Sequence, residues 1–220
     1  MMSLPFAFEP GRAPSILALG AHCDDIEIGC GGTLLALRRS MPEAEIRWVV
    51  FSGNDIRRRE TLDSARLLFG ADAPPSIRIE SFRDGYLPYE AAAVKDAFER
   101  IKGDYSPDLI FTHFRHDLHQ DHRLVSELTW NTWRNHLILE YEIPKYDGDL
   151  GQPDTFFPLT AAQVDQKVET ILQAYASQAD KQWLDAETLR GLLRLRGMEA
   201  NAPERYAEAF YGRKLVLRSA

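Results

Sequence analysis

Short apolar runs alternate with amphipathic segments along the first 125 residues of this 220-residue chain. Runs with the length and composition of strands occupy 16–19, 46–51, 76–82 and 107–112. Segments with an apolar face at helical spacing lie between them, at 33–39, 58–69 and 91–101. Strands that alternate with helices of this length predict βαβ units, and therefore an α/β fold with a mostly parallel sheet.

The pattern changes beyond residue 136. A further strand is predicted at 137–143, and a short terminal strand at 213–217. Helices are predicted at 161–178 and 186–197. Glycines and prolines make 146–158 a predicted loop that covers a pocket. We expect one domain over 1–220, with a core at about 14–136 and a C-terminal helical part at about 137–220 that covers the site.

Composition and charge exclude several classes of protein. A formal net charge of −7 and a pI near 5.4 argue against a nucleic-acid partner, which requires clustered basic charge. Two cysteines cannot form a disulfide framework, so a reducing compartment is expected. The first nine residues lack the features of a signal peptide, and no apolar run approaches the roughly 20 residues that span a membrane. We expect a soluble cytoplasmic protein that does not bind a membrane.

Two polar segments follow predicted strands. The segment 20–25 reads GAHCDD after the first strand, and the segment 116–122 reads HDLHQDH after the fourth. Ligands of parallel sheets bind in the crevice beyond the carboxyl ends of the strands, where both segments fall. Imidazoles and carboxylates at neighbouring strand ends are the components of a hydrolytic metal site.

The first segment offers metal ligands and a base. His22 and Asp25 are three residues apart and project to one side of a tight turn or first helical turn. One more imidazole from the second segment would complete a three-ligand set, with a fourth position for water. Zinc lowers the pKa of such a water to about 7, and Asp24 could accept its proton. Alternatively, the two aspartates only cap the following helix.

The second segment leaves two arrangements open. His119 and His122 share a face, and Asp121 can fix the tautomer of a ring. In one arrangement both histidines bind the metal together with His22. In the other, one histidine is a ligand and the other donates a proton, and spacing alone does not decide between them.

These motifs resemble those of the LmbE-like (PIG-L) zinc-dependent N-deacetylases. The stretch 20–33, GAHCDDIEIGCGGT, resembles the opening motif of the family, and 117–122, DLHQDH, its downstream motif. Weaker matches follow in the family's order at 57–60, 84–85, 141–142, 175–178 and 207–210. The resemblance implies a Rossmann-like three-layer α/β/α fold. It also implies a zinc-dependent hydrolase that removes an N-acyl group, usually acetyl, from an amino sugar or its conjugate by means of metal-bound hydroxide.

The resemblance further implies a role for individual residues. The metal ligands it implies are His22, Asp25 and His122. Asp24 would be the general base, and His119 would polarise the carbonyl group or protonate the leaving amine. Asp121 would orient His119.

Three more residues are expected near the substrate. Arg57 and Asp84 resemble positions that contact the sugar, although an exposed helix start and an Asp-Gly turn would also explain them. Asp117 is expected to contact substrate or to orient His119. Cys23 stands where the family commonly has proline, and we expect a small buried residue rather than a thiolate ligand. Glu27 faces solvent or supports the loop, and no role is assigned to it.

The same residues are compatible with several alternatives. Ferrous iron accepts the same ligand set as zinc. A metal-dependent phosphoesterase could use similar residues, although such sites often hold two metals and the ligands counted here suffice for one. A non-catalytic sugar-binding relative is the third possibility, against which the presence of both Asp24 and His119 argues. Relatives often assemble, so a homo-oligomer is also considered.

Overall fold

A seven-stranded sheet is the centre of the computed structural model, which describes residues 3–6, 8–71 and 74–216. The strands are β1 (Ser15–His22), β2 (Glu45–Ser52), β3 (Ser76–Ile79), β4 (Leu109–His113), β5 (Leu137–Tyr141), β6 (Thr155–Leu159) and β7 (Tyr206–Gly212). The helices are α1 (Asp25–Ser40), α2 (Asp55–Phe69), α3 (Ala91–Asp104), α4 (Gln120–Thr132), α5 (Ala161–Ala174) and α6 (Ala186–Glu199). None of these helices combines the length and the hydropathy needed to cross a membrane.

The strand order is β3-β2-β1-β4-β5-β7-β6. The first five strands are parallel, and β7 runs antiparallel to both β5 and β6. The predicted α/β fold with a mostly parallel sheet is therefore confirmed. The order reverses between β1 and β4, and a ligand crevice opens where a parallel sheet reverses in this way.

Alternating side chains of β1 divide the core into two layers. Ile16 and Ala18 pack in one cluster with residues of α1, α2, α5 and α6, whereas Leu17 and Leu19 pack in the other with residues of α3 and α4. Because successive residues of a strand point to opposite faces, a strand covered by helices on both sides is apolar throughout. This explains why β1 appeared in the sequence as a continuous apolar run.

The C-terminal strands differ from the prediction. The terminal strand predicted at 213–217 is wrong, because β7 ends at Gly212 and residues 213–216 belong to no strand, while residue 217 lies outside the described residues. Its sequence YAEAFYG contains two alanines and a glutamate, so it lacks the apolar run of a buried strand. Strand β6 occupies the end of the predicted loop 146–158, and it accommodates Pro158 because it is an edge strand.

Helix α1 begins at Asp25 and not at residue 33, so it contains the glycine cluster that was expected to precede it. A Cβ atom on Gly29 would lie 2.2 Å from the Tyr141 ring, and one on Gly32 would lie 2.6 Å from Leu159. Glycine at these positions therefore permits close contact between the helix and the sheet. The remaining predicted elements are present with shifted ends, β3 stopping at Ile79 and α5 at Ala174.

A buried ion pair joins the C-terminal part to α1. Lys167 of α5 lies 2.6 Å from a carboxylate oxygen of Glu208 on β7, and each side chain is 2% exposed. The Glu208 carboxylate also accepts the backbone N–H groups of Gly32 and Thr33, and the Lys167 ammonium donates to the carbonyl oxygen of Ile28. These hydrogen bonds satisfy both buried charges and hold β7 and α5 against the helix that begins at the site.

Candidate metal centre and active site

The two polar segments meet at the carboxyl edge of the sheet. Strand β1 ends at His22 and α1 begins at Asp25, while His119 precedes the first residue of α4. A cavity of about 600 Å³ opens above them. The residues that line it include the polar His22, Asp24 and His119 and the aromatic Phe82, Tyr146 and Trp183.

Three of the predicted ligands converge. The Nδ1 atom of His22 lies 3.2 Å from Nε2 of His122 and 3.5 Å from Oδ2 of Asp25. Nε2 of His122 lies 3.5 Å from Oδ1 of Asp25. Tetrahedral zinc with bonds near 2.1 Å separates its donor atoms by about 3.4 Å. The two nitrogen atoms and the Asp25 carboxylate therefore lie close enough to hold a single metal ion. His22, His119 and His122 also lie close enough together to do so, so the distances leave both arrangements available.

The electrostatics of His122 and Asp25 suit metal binding. Burial and the neighbouring His113 lower the pKa of His122 to about 4, so its ring is neutral at pH 7. Its Nδ1–H group donates to Asp117 at 2.9 Å, which leaves the lone pair of Nε2 free for a metal. Burial acts to raise the pKa of Asp25, but His122 and His113 hold that pKa well below its usual range.

His22 lies among carboxylates. Its Nε2 atom is 3.2 Å from Oδ2 of Asp121 and 3.2 Å from Oδ1 of Asp84. Burial acts to lower the pKa of His22, but hydrogen bonds to these groups and to Asp25 raise it well above its usual value. This shift favours a proton on the ring, and metal binding at His22 competes with that proton.

Asp24 does not act as a helix cap. It precedes α1 with a φ of 124°, and its side chain makes no capping hydrogen bond, so the capping alternative is not realised at this residue. One carboxylate oxygen lies 2.8 Å from a guanidinium nitrogen of Arg57. Burial raises the pKa of Asp24 to about 8, even though the charge of Arg57 opposes this. The Asp24 carboxyl group therefore lines the cavity in a buried environment with one adjacent cation.

His119 presents one ring nitrogen to the cavity. Its Nδ1 atom accepts the backbone N–H of Asp121 at 3.2 Å, which assigns the proton of the neutral ring to Nε2. Burial and the nearby His22 lower the pKa of His119. The ring centroids of His119 and His22 are 4.8 Å apart, so an Nε2–H donor stands beside the ligand set.

Asp121 has different partners from those expected. Its buried carboxylate accepts the backbone N–H of Gly85 at 2.8 Å and that of Leu87 at 3.1 Å, in addition to its contact with His22. Its hydrogen bond with His119 is made by the backbone N–H of Asp121. The side chain of Asp121 therefore contacts His22 and the turn after Asp84, and its backbone N–H is the group that holds Nδ1 of His119.

The three expected substrate residues occupy different environments. Asp84 is at the cavity mouth, with its side chain 79% exposed. Arg57 lines the cavity, but its guanidinium is already engaged by Asp24 and Glu60. Asp117 is buried behind His122 and accepts the backbone N–H of His119 at 2.7 Å. Of these three residues, Asp84 is the one whose carboxylate is exposed to an incoming ligand.

Two residues of the site were not identified from the sequence. His113 ends β4, accepts the backbone N–H of Ala21 through Nε2, and stacks on His122 with ring centroids 3.9 Å apart. His113 directly follows the predicted strand 107–112, and this position at a strand end is the sequence feature that could have identified it. Lys145 places its ammonium 2.9 Å from Asp117. No sequence pattern indicates this contact, because it joins residues from different loops.

Cys23 and Glu27 are both buried. The Cys23 thiol points toward the carbonyl oxygen of Ser52 at 3.6 Å, and burial raises its pKa to about 11, as is typical of a small buried residue and not of a metal ligand. The solvent-facing alternative for Glu27 is wrong. Its carboxylate accepts hydrogen bonds from Ser64 and Tyr175, each at 2.5 Å, inside the protein.

Comparison with known proteins identifies similar sequences. The profile of the family described as "PIG-L: GlcNAc-PI de-N-acetylase" matches residues 17–133. The uncharacterized deacetylase YaiS of Escherichia coli (strain K12) is 32% identical over 140 residues, which cover 60% of this chain and 76% of YaiS.

Solved structures share the fold. The N,N'-diacetylchitobiose deacetylase from Pyrococcus horikoshii superposes with a TM-score of 0.71 at 23% identity, over 91% of this chain and 84% of that chain. GalB, the 4-carboxy-2-hydroxymuconate hydratase from Pseudomonas putida KT2440, has a TM-score of 0.72 at 18% identity, over 94% of this chain and all of its own (100%). One fold thus carries a deacetylase and a hydratase, so function must be argued from the site.

Proposed function

The chain belongs to the PIG-L family of de-N-acetylases, and on this premise we propose that it is a metal-dependent hydrolase that removes an N-acyl group from an amino sugar or its conjugate. The acyl group is most simply acetyl. The observation that carries the proposal is the convergence of His22, Asp25 and His122 beside two proton-transfer groups, Asp24 and His119.

The donor set fits zinc. Two neutral imidazoles and one carboxylate, with space for a water at the fourth position, form the usual composition of a catalytic zinc site, and ferrous iron accepts the same set. A bound ion of this kind supplies Lewis acidity and lowers the pKa of a coordinated water to about 7. Asp117 holds His122 in the tautomer that leaves Nε2 free, and Asp121 fixes the ring of His22.

The two remaining groups divide the proton transfers. Asp24 accepts a proton from the attacking water, because it lines the cavity next to the candidate ligand Asp25. His119 donates a hydrogen bond from Nε2–H to the amide carbonyl oxygen as negative charge develops there. The proton taken up by Asp24 is then available for the departing amine, which must leave protonated.

The cavity suits a sugar-sized ligand. Its volume of about 600 Å³ lies within the range of small-molecule sites. The exposed carboxylate of Asp84 accepts hydrogen bonds from sugar hydroxyl groups at the mouth, and Trp183 and Tyr146 offer aromatic faces on the walls. This combination favours an N-acylated amino sugar over an apolar amide.

The proposal is tested by metal analysis and product release on the same preparation. We expect about one equivalent of zinc or iron per chain, and acetate release from free, nucleotide-linked, thiol-linked or oligomeric N-acetylglucosamine compounds. Asp24→Asn is the matched control for background hydrolysis. Release of phosphate with two metal equivalents would indicate a phosphoesterase. Sugar binding without acetate release from any compound would indicate a non-catalytic relative.

A further inference from the structure

Two sequence motifs outside the candidate ligand set meet behind Asp24. The segment 57–60 lies in the first turns of α2, and the segment 175–178 follows α5. Glu60 accepts the backbone N–H of Ser177 at 2.8 Å and its hydroxyl at 2.7 Å. Tyr175 lies with its ring centroid 4.9 Å from the guanidinium carbon of Arg57. The two motifs therefore form one contact unit within the fold.

Arg57 connects this unit to the site. One terminal nitrogen of its guanidinium lies 2.8 Å from Asp24 and also donates to the carbonyl oxygen of Cys23, and the other donates to Glu60 at 3.1 Å. The side chains of Arg57 and Glu60 are both largely buried, at 13% and 10% exposure. A planar guanidinium held at both ends has little freedom to rotate, so its orientation is set by Glu60 on one side.

The orientation of the Asp24 side chain depends strongly on its contact with Arg57. Its φ of 124° lies in a region that side chains rarely adopt, and its side chain accepts no capping hydrogen bond that would hold it in place. Within the described residues, Arg57 is the cation that forms a salt bridge with the Asp24 carboxylate.

We propose that Glu60 is a positioning residue that holds Asp24 in its reactive orientation through Arg57. This inference rests on the proposed role of Asp24 as proton acceptor. Glu60 itself is anchored by Ser177, so the segment 175–178 contributes to the same arrangement. Arg57 also lines the cavity, so its expected substrate contact stays a prediction beside this role.

The kinetic test is a double-mutant cycle between Glu60 and Asp24. Glu60→Gln keeps the size of the side chain and removes the charge that faces Arg57. Because small displacements of a catalytic group lower turnover strongly, we expect kcat to fall about 10- to 100-fold while KM stays within about 3-fold. In the Asp24→Asn background the same substitution should change kcat by less than about 2-fold. An equal loss in both backgrounds overturns the proposal.

Controls on α2 separate positioning from general damage. Asp63→Asn removes a carboxylate from an exposed pair with Arg66, and Arg59→Gln removes an exposed arginine next to Arg58. Both variants should retain wild-type kcat. If Glu60→Gln fails to fold, Arg57→Lys replaces it, because a single ammonium cannot contact Asp24 and Glu60 in the same way. Arg57→Lys should likewise lower kcat in the wild-type background and change it by less than about 2-fold in the Asp24→Asn background.

A structural measurement distinguishes failure of this inference from failure of the proposed function. In a crystal structure of Glu60→Gln, the contact between Arg57 and Asp24 should be lost or the Asp24 carboxylate should be rotated. Retention of both the 2.8 Å contact and the original orientation of the Asp24 carboxylate overturns the inference, even if the enzyme is active. If the wild-type protein releases no acetate, the proposed function fails, and the crystal structure still decides whether Glu60 positions Asp24.

Discussion

Nδ1 of His122 lies 2.9 Å from Oδ2 of Asp117, and the Lys145 ammonium lies 2.9 Å from the same oxygen. The carboxylate thus stands between a candidate metal ligand and a fixed positive charge. Lys145 also contacts Asp149, whose carboxylate accepts the backbone N–H of Leu118. The loop around Lys145 is thereby joined to the ligand set through Asp117.

Asp117→Asn should weaken metal binding. The amide can still accept the Nδ1–H hydrogen bond, but it no longer raises the basicity of His122, so we expect a loss of about 10- to 100-fold in metal affinity. Competition with a chromogenic chelator measures this directly. Asp96→Asn, an exposed aspartate on α3, is the matched control. Equal affinities for the two variants would contradict the assigned contact.

Asp24→Asn and His122→Ala should separate chemistry from metal binding. Without its carboxylate, Asp24→Asn should lose about 10²- to 10⁴-fold in kcat and keep its metal. His122→Ala should lose the metal itself, because one of three ligands is absent. Metal content by emission spectroscopy and acetate release on the same samples check both. Wild-type turnover in Asp24→Asn would show that another group accepts the proton.

Cys23→Ser should retain one equivalent of metal. The thiol points toward Ser52, and its pKa of about 11 means that it is not a thiolate at neutral pH. Metal analysis after dialysis is the measurement. A variant that loses its metal would place sulfur in the ligand set.

Lys167→Met should lower the free energy of unfolding by about 3–5 kcal/mol, because it leaves the buried Glu208 carboxylate without its cation. Chemical denaturation of the metal-free protein is the measurement. Arg190→Met provides the matched control, since the pair of Arg190 with Asp165 is exposed and should contribute less than about 1 kcal/mol. Comparable losses of unfolding free energy in the two variants would mean that the buried pair stabilises the fold no more than an exposed pair does.

Stability of the metal-free protein should fall as the pH rises from about 6.5 to 8. The folded-state pKa values of His22 and Asp24 are both raised, so over this range the folded protein binds more protons than the unfolded chain. Stability decreases with pH wherever the folded state binds more protons, so the free energy of unfolding should decline until both groups have released theirs. Metal affinity should rise over the same range, because His22 must lose its proton to bind the ion. Thermal unfolding with and without metal checks both trends, and Asp24→Asn should reduce the slope. A stability that increases with pH over this range would contradict the assignment.

The sequence predicted what depends on local pattern. The continuous apolar run of β1 placed His22 at a strand end, and the turn after it placed Asp25 within reach. The partners of Asp121 could not be predicted, because its carboxylate contacts Gly85 and Leu87, which are distant in the chain.

Strand β7 was missed for a related reason. Its buried residues include Ala207, Ala209 and, on the opposite face, the charged Glu208, whose carboxylate is compensated inside the protein by partners from α1 and α5. Local hydropathy carries no information about such partners. Contacts that cross between elements therefore account for most of what the sequence left open.

The backbone of Asp24 has a consequence for the history of this position. A φ of 124° suits glycine, and for a residue with a side chain a conformation of this kind costs roughly 1–3 kcal/mol. Replacement by glycine would relieve that strain, and Arg57 would keep its contact with Glu60. In a descendant released from selection for the reaction, drift toward glycine would therefore be favoured here. The residue at this site should thus report whether a lineage still depends on the chemistry.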